Sequence, residues 1–271
     1  MLTETAYAKV NLALHLRARQ TDGYHSLETI FAFADFGDRL TVAPAAAISL
    51  MVEGVFAAAA GPRDDNLVLR AARALAAAGG VSQGAALLLD KHIPAAAGLG
   101  GGSADAAAAL RLLSRFWGLD WTEERLEALA AELGSDVPAC IASRTRLGTG
   151  RGTALADWHE DFAGAPLLLV NPRIAVPTAP VFAGWDQCDL GGIDAGSALP
   201  ALRNDMTPAA VEIAPVIGDV LGALEATRPI LTRMSGSGAT CLAIYADLAR
   251  RDSSAARLAP RGWWQTATVL R

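Results

Sequence analysis

Residues 94–105 read Pro94-Ala95-Ala96-Ala97-Gly98-Leu99-Gly100-Gly101-Gly102-Ser103-Ala104-Asp105, with four glycines in the five positions from 98 to 102. Without Cβ atoms in the way, backbone N–H groups can converge on phosphate oxygens. The alanine-rich run that follows predicts a helix whose N-terminus adds unpaired donors and a positive dipole end. The leading reading is a phosphate cradle. Spacing excludes two other glycine motifs: a dinucleotide fingerprint from Gly98 needs glycine at 103, where Ser103 stands, and a Walker loop needs a Gly-Lys pair, which the chain lacks. The alternative is a plain turn with Ser103 as the helix N-cap.

The charged residues narrow the chemistry further. Of 23 basic residues only Lys9 and Lys91 are lysines. Where arginine serves almost everywhere, a retained compact ammonium marks a position that needs its reach and donor geometry, chance retention being the other reading. Asp136 follows a helix stop at Gly134 and precedes Pro138, which on residue types alone is an N-cap pattern. His15, His92 and His159 have no metal-ligand spacing, and Cys140, Cys188 and Cys241 read as ordinary reduced thiols.

These residues need elements to hold them. From Ala6 to Leu16 the even positions are apolar and the odd ones include Lys9, Asn11 and His15, a period-two strand with one buried face. Asp22-Gly23 predicts a turn into a returning strand over Leu27 to Phe36, followed by strands at Arg39 to Ala43 and Ile48 to Glu53. Asp64-Asp65-Asn66 and Gly79-Gly80 bracket a helix, Ala85 to Ile93 is the strand entering the glycine loop, and Asp105 to Trp117 is the helix leaving it. Thr122 caps the next helix. The periodic pattern lapses around Gly148-Thr149-Gly150-Arg151-Gly152, which places a domain boundary near residue 150 and divides the chain into 1–150 and 151–271. Beyond it strands are expected at Leu167 to Val170, Ile230 to Met234, Thr240 to Tyr245 and Trp264 to Leu270, with helices near Pro177 to Trp185, Pro208 to Ala226 and Asp247 to Leu258. The segment Gly184 to Ala201 is structureless by pattern.

The glycine loop, Ala6-Tyr7-Ala8-Lys9-Val10-Asn11-Leu12, Asp22-Gly23-Tyr24-His25, Asp65-Asn66-Leu67, Gly134-Ser135-Asp136-Val137-Pro138, Pro177-Thr178 with Phe182, Arg203-Asn204-Asp205 and Ser235-Gly236-Ser237-Gly238-Ala239 together resemble, in order, the motifs of the GHMP kinases, the family of galactokinase, homoserine kinase and mevalonate kinase. The resemblance covers nearly the whole chain. It implies a two-domain α+β fold with a left-handed β-α-β crossover and an active site in the interdomain cleft. It also implies ATP as co-substrate with Mg²⁺, bound through Pro94 to Ala104, with Asn66 and Lys91 around the adenosine. Asp136 then becomes the base that accepts the acceptor hydroxyl's proton, and Lys9 its electrostatic partner. The Ser235 to Ala239 turn is expected against the phosphate loop.

Taken in that order, the motifs most resemble the branch whose acceptor is a cytidine-diphosphate-linked methylerythritol, which implies phosphorylation of its 2-hydroxyl in non-mevalonate isoprenoid synthesis; the Asp-Gly-Tyr-His turn and Phe182 disfavour a smaller alcohol. There Asn11, Tyr24, His25 and Phe182 would surround the cytidine, since a base offers faces for stacking and edges for hydrogen bonds. A kinase for a smaller alcohol, or a non-catalytic nucleotide-binding protein on the same scaffold, are the alternatives. Ala96 and Ala104 depart from the family's usual glycine and serine, and no carboxylate declares itself a metal ligand.

Composition agrees with this class. In a chain of 271 residues, 52% hydrophobic content leaves ample material for a core, and a net charge of −5 with no basic run argues against a nucleic-acid partner. No apolar run reaches the roughly 18 residues that crossing a membrane requires, so a cytoplasmic location with no membrane partner is expected.

Overall fold

The computed structural model describes residues 2–21, 23–59, 65–194 and 196–271; Asp22 of the expected turn and Asp64 of the expected cap lie outside them. The chain forms two compact units from alternating segments. One comprises Met1–Lys9, Phe36–Ala95 and Gly100–Ser143, the other Val10–Asp35, Ala96–Leu99 and Arg144–Arg271. The segments alternate because the two opening strands, β1 (Leu2–Arg19) and β2 (His25–Ala45), each run on into both units. The two strands expected at Leu27 to Phe36 and Arg39 to Ala43 are one continuous β2.

In the first unit β3 (Ser49–Glu53) leads through helix α1 (Leu67–Gly79) to β4 (Gly84–Asp90), which pairs parallel with β3 and antiparallel with residues 39–45 of β2. The helix ends follow their expected signals: the Asn66 side chain accepts from the Val68 N–H, and Gly80 closes α1 in the left-handed region. Helices α2 (Gly101–Phe116), α3 (Glu123–Ala131) and α4 (Val137–Ala142) complete the unit. Helix α2 starts four residues before the expected Asp105, so Ser103 lies inside its first turn and Gly100 is the N-cap. Ala104 and Ala106 to Ala109 are all buried, which lets the neighbouring helices approach its backbone closely.

The last segment of the second unit starts close to the expected domain boundary. Residues Arg146–Gly150 are strand β5, paired with Leu27 to Phe31 of β2 and with β6 (Ala154–Asp157). The strand lacks apolar alternation because Phe31 fills the space over Gly148, where a Cβ would sit 2.6 Å from the ring. Then come β7 (Pro166–Asn171), α5 (Thr178–Ala183), α6 (Thr207–Ile213) and α7 (Val216–Glu225), the last two separated at Ala214-Pro215 instead of forming one helix. Strands β8 (Leu231–Met234), β9 (Cys241–Ile244) and β10 (Trp264–Val269), with α8 (Leu248–Leu258) capped by Asp247, finish the chain. The sheet order β10-β7-β9-β8 is antiparallel throughout, over a core that includes Leu168, Val170, Met206, Ile217 and Tyr245. No helix among the described residues is long and apolar enough to cross a membrane, and all three cysteines are free.

Strand β1 departs from the expected single buried face: every residue from Ala8 to Leu16 is buried. Its polar face is covered by partners, not water, and His15 is the clearest case. The ring sits 3.2 Å from the Gly191 carbonyl through Nδ1, while Nε2 receives the Arg203 N–H at 3.3 Å. That donor–acceptor pattern fits the neutral ring with its proton on Nδ1. Burial, and then the Arg203 charge, hold its pKa below the usual imidazole value. A group whose folded pKa is depressed takes up its proton more readily when unfolded, so its contribution to stability is lost as pH falls from about 6.5 through the folded value. We expect the parent's melting temperature to drop more across that window than that of His15→Gln; parallel pH profiles in thermal unfolding would contradict this role.

Candidate active site

The first unit places Lys9 Nζ 3.0 Å from Asp136 Oδ2. Lys9 is buried at 4% exposure while Asp136 is 35% exposed, so the pair joins a fixed ammonium to a carboxylate that solvent can reach. Asp136 occupies the N-cap position of α4, as its neighbours suggest, but its side chain makes no capping hydrogen bond and is turned to Lys9 instead. Pro138 takes a first-turn position where no N–H is needed. Next to the pair, burial and then the Asp136 charge push the Cys140 thiol up to about 12, which keeps it protonated.

Gly100 stands directly beside Lys9. It has φ 61, and a Cβ there would come within 2.9 Å of Lys9 Cε, so glycine is required both for the turn and for the lysine's passage. The N-terminus of α2 follows at once, where the first N–H groups have no intrahelical partner and the dipole favours an anion. Gly102 is exposed, and Leu67, next to Asn66, is the side chain closest to where its Cβ would be. Chain of this shape can cradle phosphate.

Lys91 is placed differently from an exposed nucleotide contact. Its ammonium, buried at 4% exposure, bonds Asp38 and lies 2.7 Å from Asp105 Oδ2. Asp38 Oδ1 also accepts the N–H groups of His92 at 2.5 Å and Ile93 at 2.7 Å. Burial alone would lower the lysine's pKa, but the two carboxylates outweigh it and raise it. Burial pushes the Asp105 carboxyl up against the pull of Lys91, and among the described residues Asp105 Oδ1 has no hydrogen-bond partner. This network pins the chain entering the glycine loop to the first turn leaving it. Asp38 and Asp105 were missed as a pair, though Asp105 is a lone carboxylate in an alanine-rich run.

In the second unit Ala96 to Leu99 are held by the 235–239 turn, as expected for that motif. Ser235 Oγ donates to the Gly98 carbonyl at 2.8 Å, and the Thr240 N–H reaches the Ala97 carbonyl at 3.1 Å. A Cβ at Gly98 would lie 2.3 Å from the Ser235 carbonyl oxygen, so this glycine serves packing as well as any ligand. Ala96, where the family usually has glycine, is itself in the left-handed region at φ 50. Pro94 is buried; Ala95 and Ala96 are exposed. The Asn11 N–H donates to Ser235 Oγ at 3.1 Å and its amide to Thr29 at 2.8 Å.

His25 stacks on Phe182 with ring centroids 4.9 Å apart and meets Trp185 edge-on at 5.7 Å. Burial, then Arg19, lower the His25 pKa. Tyr24 is 57% exposed and lies under the Arg151 guanidinium at 4.0 Å. Trp185 and Arg151 carried no sequence signal, since one falls after a short helix and the other where the periodic pattern lapses. Lys9, Asp136, Asn66, Lys91, Pro94, Ala95 and Gly100 to Ala104 thus belong to one unit, and Asn11, Tyr24, His25, Phe182 and Ala96 to Leu99 to the other. Among the described residues no group of three or more His, Cys, Asp or Glu side chains could hold a metal ion.

Residues 66–144 match the family model of the GHMP kinases N terminal domain, and residues 192–262 that of the GHMP kinases C terminal domain. The chain is 51% identical to a 4-diphosphocytidyl-2-C-methyl-D-erythritol kinase of Rhizorhabdus wittichii, covering 99% of this chain and 94% of that protein. It is 47% identical to one of Erythrobacter litoralis, covering both chains fully. A crystal structure of 4-(cytidine 5'-diphospho)-2C-methyl-D-erythritol kinase superposes with a TM-score of 0.85 at 31% identity over 99% of each chain. A homoserine kinase of Cytophaga hutchinsonii, at TM-score 0.72 and 17% identity over 97% of this chain and 95% of its own, shares the fold.

Removing the central cation of a buried network leaves its carboxylates uncompensated. Lys91→Met should therefore cost about 3–5 kcal/mol of unfolding free energy, with much of it regained when Asp38→Asn and Asp105→Asn are added. Urea unfolding at neutral pH measures both, and a Lys91→Met chain as stable as the parent would contradict the network's role.

Proposed function

We infer that this chain, which belongs to the GHMP kinase family, is an ATP-dependent small-molecule kinase acting on 4-diphosphocytidyl-2-C-methyl-D-erythritol in isoprenoid biosynthesis. The phosphoryl group goes to the 2-hydroxyl, and the location is cytoplasmic. The observation that carries the chemistry is the Lys9–Asp136 pair beside Gly100. Likeness along the whole chain to relatives of one name supports the substrate.

Transfer of a phosphoryl group to an alcohol depends chiefly on positioning and on stabilising spread negative charge. Asp136 accepts the proton of the hydroxyl as the phosphoryl group departs, and the ammonium of Lys9 offsets the charge that develops there. The N–H groups of the 94–104 loop and of the first turn of α2 hold the phosphates, with the Ser103 hydroxyl adding a contact. Asn66 contacts the adenosine, and Lys91, its ammonium taken up by Asp38 and Asp105, serves the nucleotide by fixing the chain that enters the glycine loop. Tyr24, His25 and Phe182 receive the cytosine, and Asn11 orients the substrate beside them. The donor set does not fit a resident metal, so Mg²⁺ arrives on the phosphates of ATP as part of the substrate.

ADP should form from ATP when the cytidine alcohol is supplied and not when homoserine or mevalonate replaces it. ADP release without any alcohol, or with the smaller ones alone, would sink the substrate assignment. Phe182→Ala and His25→Ala should raise KM for the cytidine alcohol by roughly 5- to 100-fold, the range that about 1–3 kcal/mol of base stacking implies, while KM for ATP stays near the parent's. Equal weakening of both substrates would show that these rings do not read the cytosine.

A further inference from the structure

Arg111, on α2, spreads its guanidinium over two other segments, β1 and α4. Nε reaches Glu4 Oε1 at 3.0 Å, Nη2 the Thr5 carbonyl at 3.0 Å, and Nη1 the carbonyls of Cys140 at 2.6 Å and Ile141 at 3.0 Å. Glu4 and Thr5 are on β1, which carries Lys9. Cys140 and Ile141 are in the last turn of α4, whose first residue follows Asp136. The same arginine thus ties together the strand that delivers the ammonium, the helix that delivers the carboxylate, and the helix that begins at the glycine loop.

The attachment is specific to this side chain. The last carbonyls of a helix lack intrahelical partners and carry the negative end of its dipole, so a cation there both satisfies them and is attracted to them. Cys140 and Ile141 are buried, at 1% and 3% exposure, and Arg111 supplies what water cannot. Ser143 Oγ gives the Cys140 carbonyl a second donor but does not reach β1 or α2. A lysine offers one point charge and could not span the two segments that the planar fork joins to α2. Glu4 is in turn held from its other oxygen by Arg115, so the anchor on β1 is itself fixed.

The levers are short. Asp136 and Ile141 are five residues apart, roughly 7.5 Å along a helix, and Thr5 and Lys9 four apart, roughly 13 Å along a strand. Val137 to Ile141 are all buried, so a shift at the carbonyl end of α4 has little room to dissipate before Asp136. On the β1 side a Cβ at Gly37 would come within 2.2 Å of the Ala6 carbonyl oxygen, which keeps that stretch of strand tight against β2.

We propose that Arg111 is a positioning residue for phosphoryl transfer, setting the separation of Lys9 and Asp136 by fixing β1 and α4 to the helix of the phosphate loop. The proposal rests on Asp136 as the base, and the test separates the two. Asp136→Asn alone should lower kcat by roughly 10²- to 10⁴-fold. Arg111→Lys should lower kcat by about tenfold or more with both KM values within about threefold of the parent, because misplacement by around an ångström is costly to the chemical step and not to binding. In the double variant Arg111→Lys should cost no further turnover, since the pair it positions no longer works. Glu4→Ala, which removes the side-chain half of the β1 anchor and leaves Arg111 on the Thr5 carbonyl and on α4, should lower kcat in the same direction by a smaller factor, with both KM values again near the parent's, and covers the case in which Arg111→Lys does not fold. Parental kcat in folded Arg111→Lys, or a loss that multiplies unchanged into the Asp136→Asn background, would overturn the proposal while leaving the base assignment standing. Parental kcat in Asp136→Asn would overturn the base and with it the route through which Arg111 acts.

Discussion

A buried ammonium must have a partner, and at Lys9 that partner is a carboxylate 3.0 Å away that solvent can still reach. Much of the first unit follows from this requirement. Strand β1 is buried on both faces because its polar face carries residues that must be satisfied by protein. Gly100 lacks a Cβ so that the lysine can pass, and the side chain of Asp136 leaves its capping position to meet it. The glycine loop is therefore shaped as much by the ion pair beside it as by any phosphate it would hold.

The same economy recurs along the loop. Three of its four glycines have a neighbour that accounts for them before a ligand is considered: the Ser235 carbonyl at Gly98, Lys9 at Gly100, and Ile93 near Gly101. Beneath it, Asp38, Lys91 and Asp105 join the strand that enters to the helix that leaves, while the 235–239 turn holds the middle through Gly98 and Ala97. Within each unit the loop's own segment is thus restrained, and under the proposed function preformed donors of this kind lower the barrier where charge develops in the transition state.

The motifs were legible because their chemistry depends on residue type at fixed spacing. The glycine run, the two lysines in an arginine-rich chain and Asp136 beside its proline each stood out, and most strands and caps followed from alternation and from Asn66, Gly80, Thr122 and Asp247. What could not be read was set by tertiary contact. The periodic pattern lapses from Gly148 to Gly152 because a phenylalanine from another strand fills the space that side chains would take. Ser103 looked like a cap because the left-handed turn at Gly100 starts the helix earlier than pattern suggests. Lys91 was marked for its rarity, but its two carboxylate partners are 53 and 14 residues away. Arg111, one arginine among many, has no local signal at all.

The central claim is that position 9 needs a compact ammonium at the Asp136 carboxylate, not merely a positive charge. Turnover of Lys9→Arg, measured with saturating ATP and cytidine alcohol on a preparation whose thermal unfolding shows it folded at the assay temperature, tests this most directly. The account predicts kcat lower by about tenfold or more, since a longer planar cation cannot occupy the slot that Gly100 leaves without moving the charge by around an ångström. Turnover equal to the parent's would contradict it.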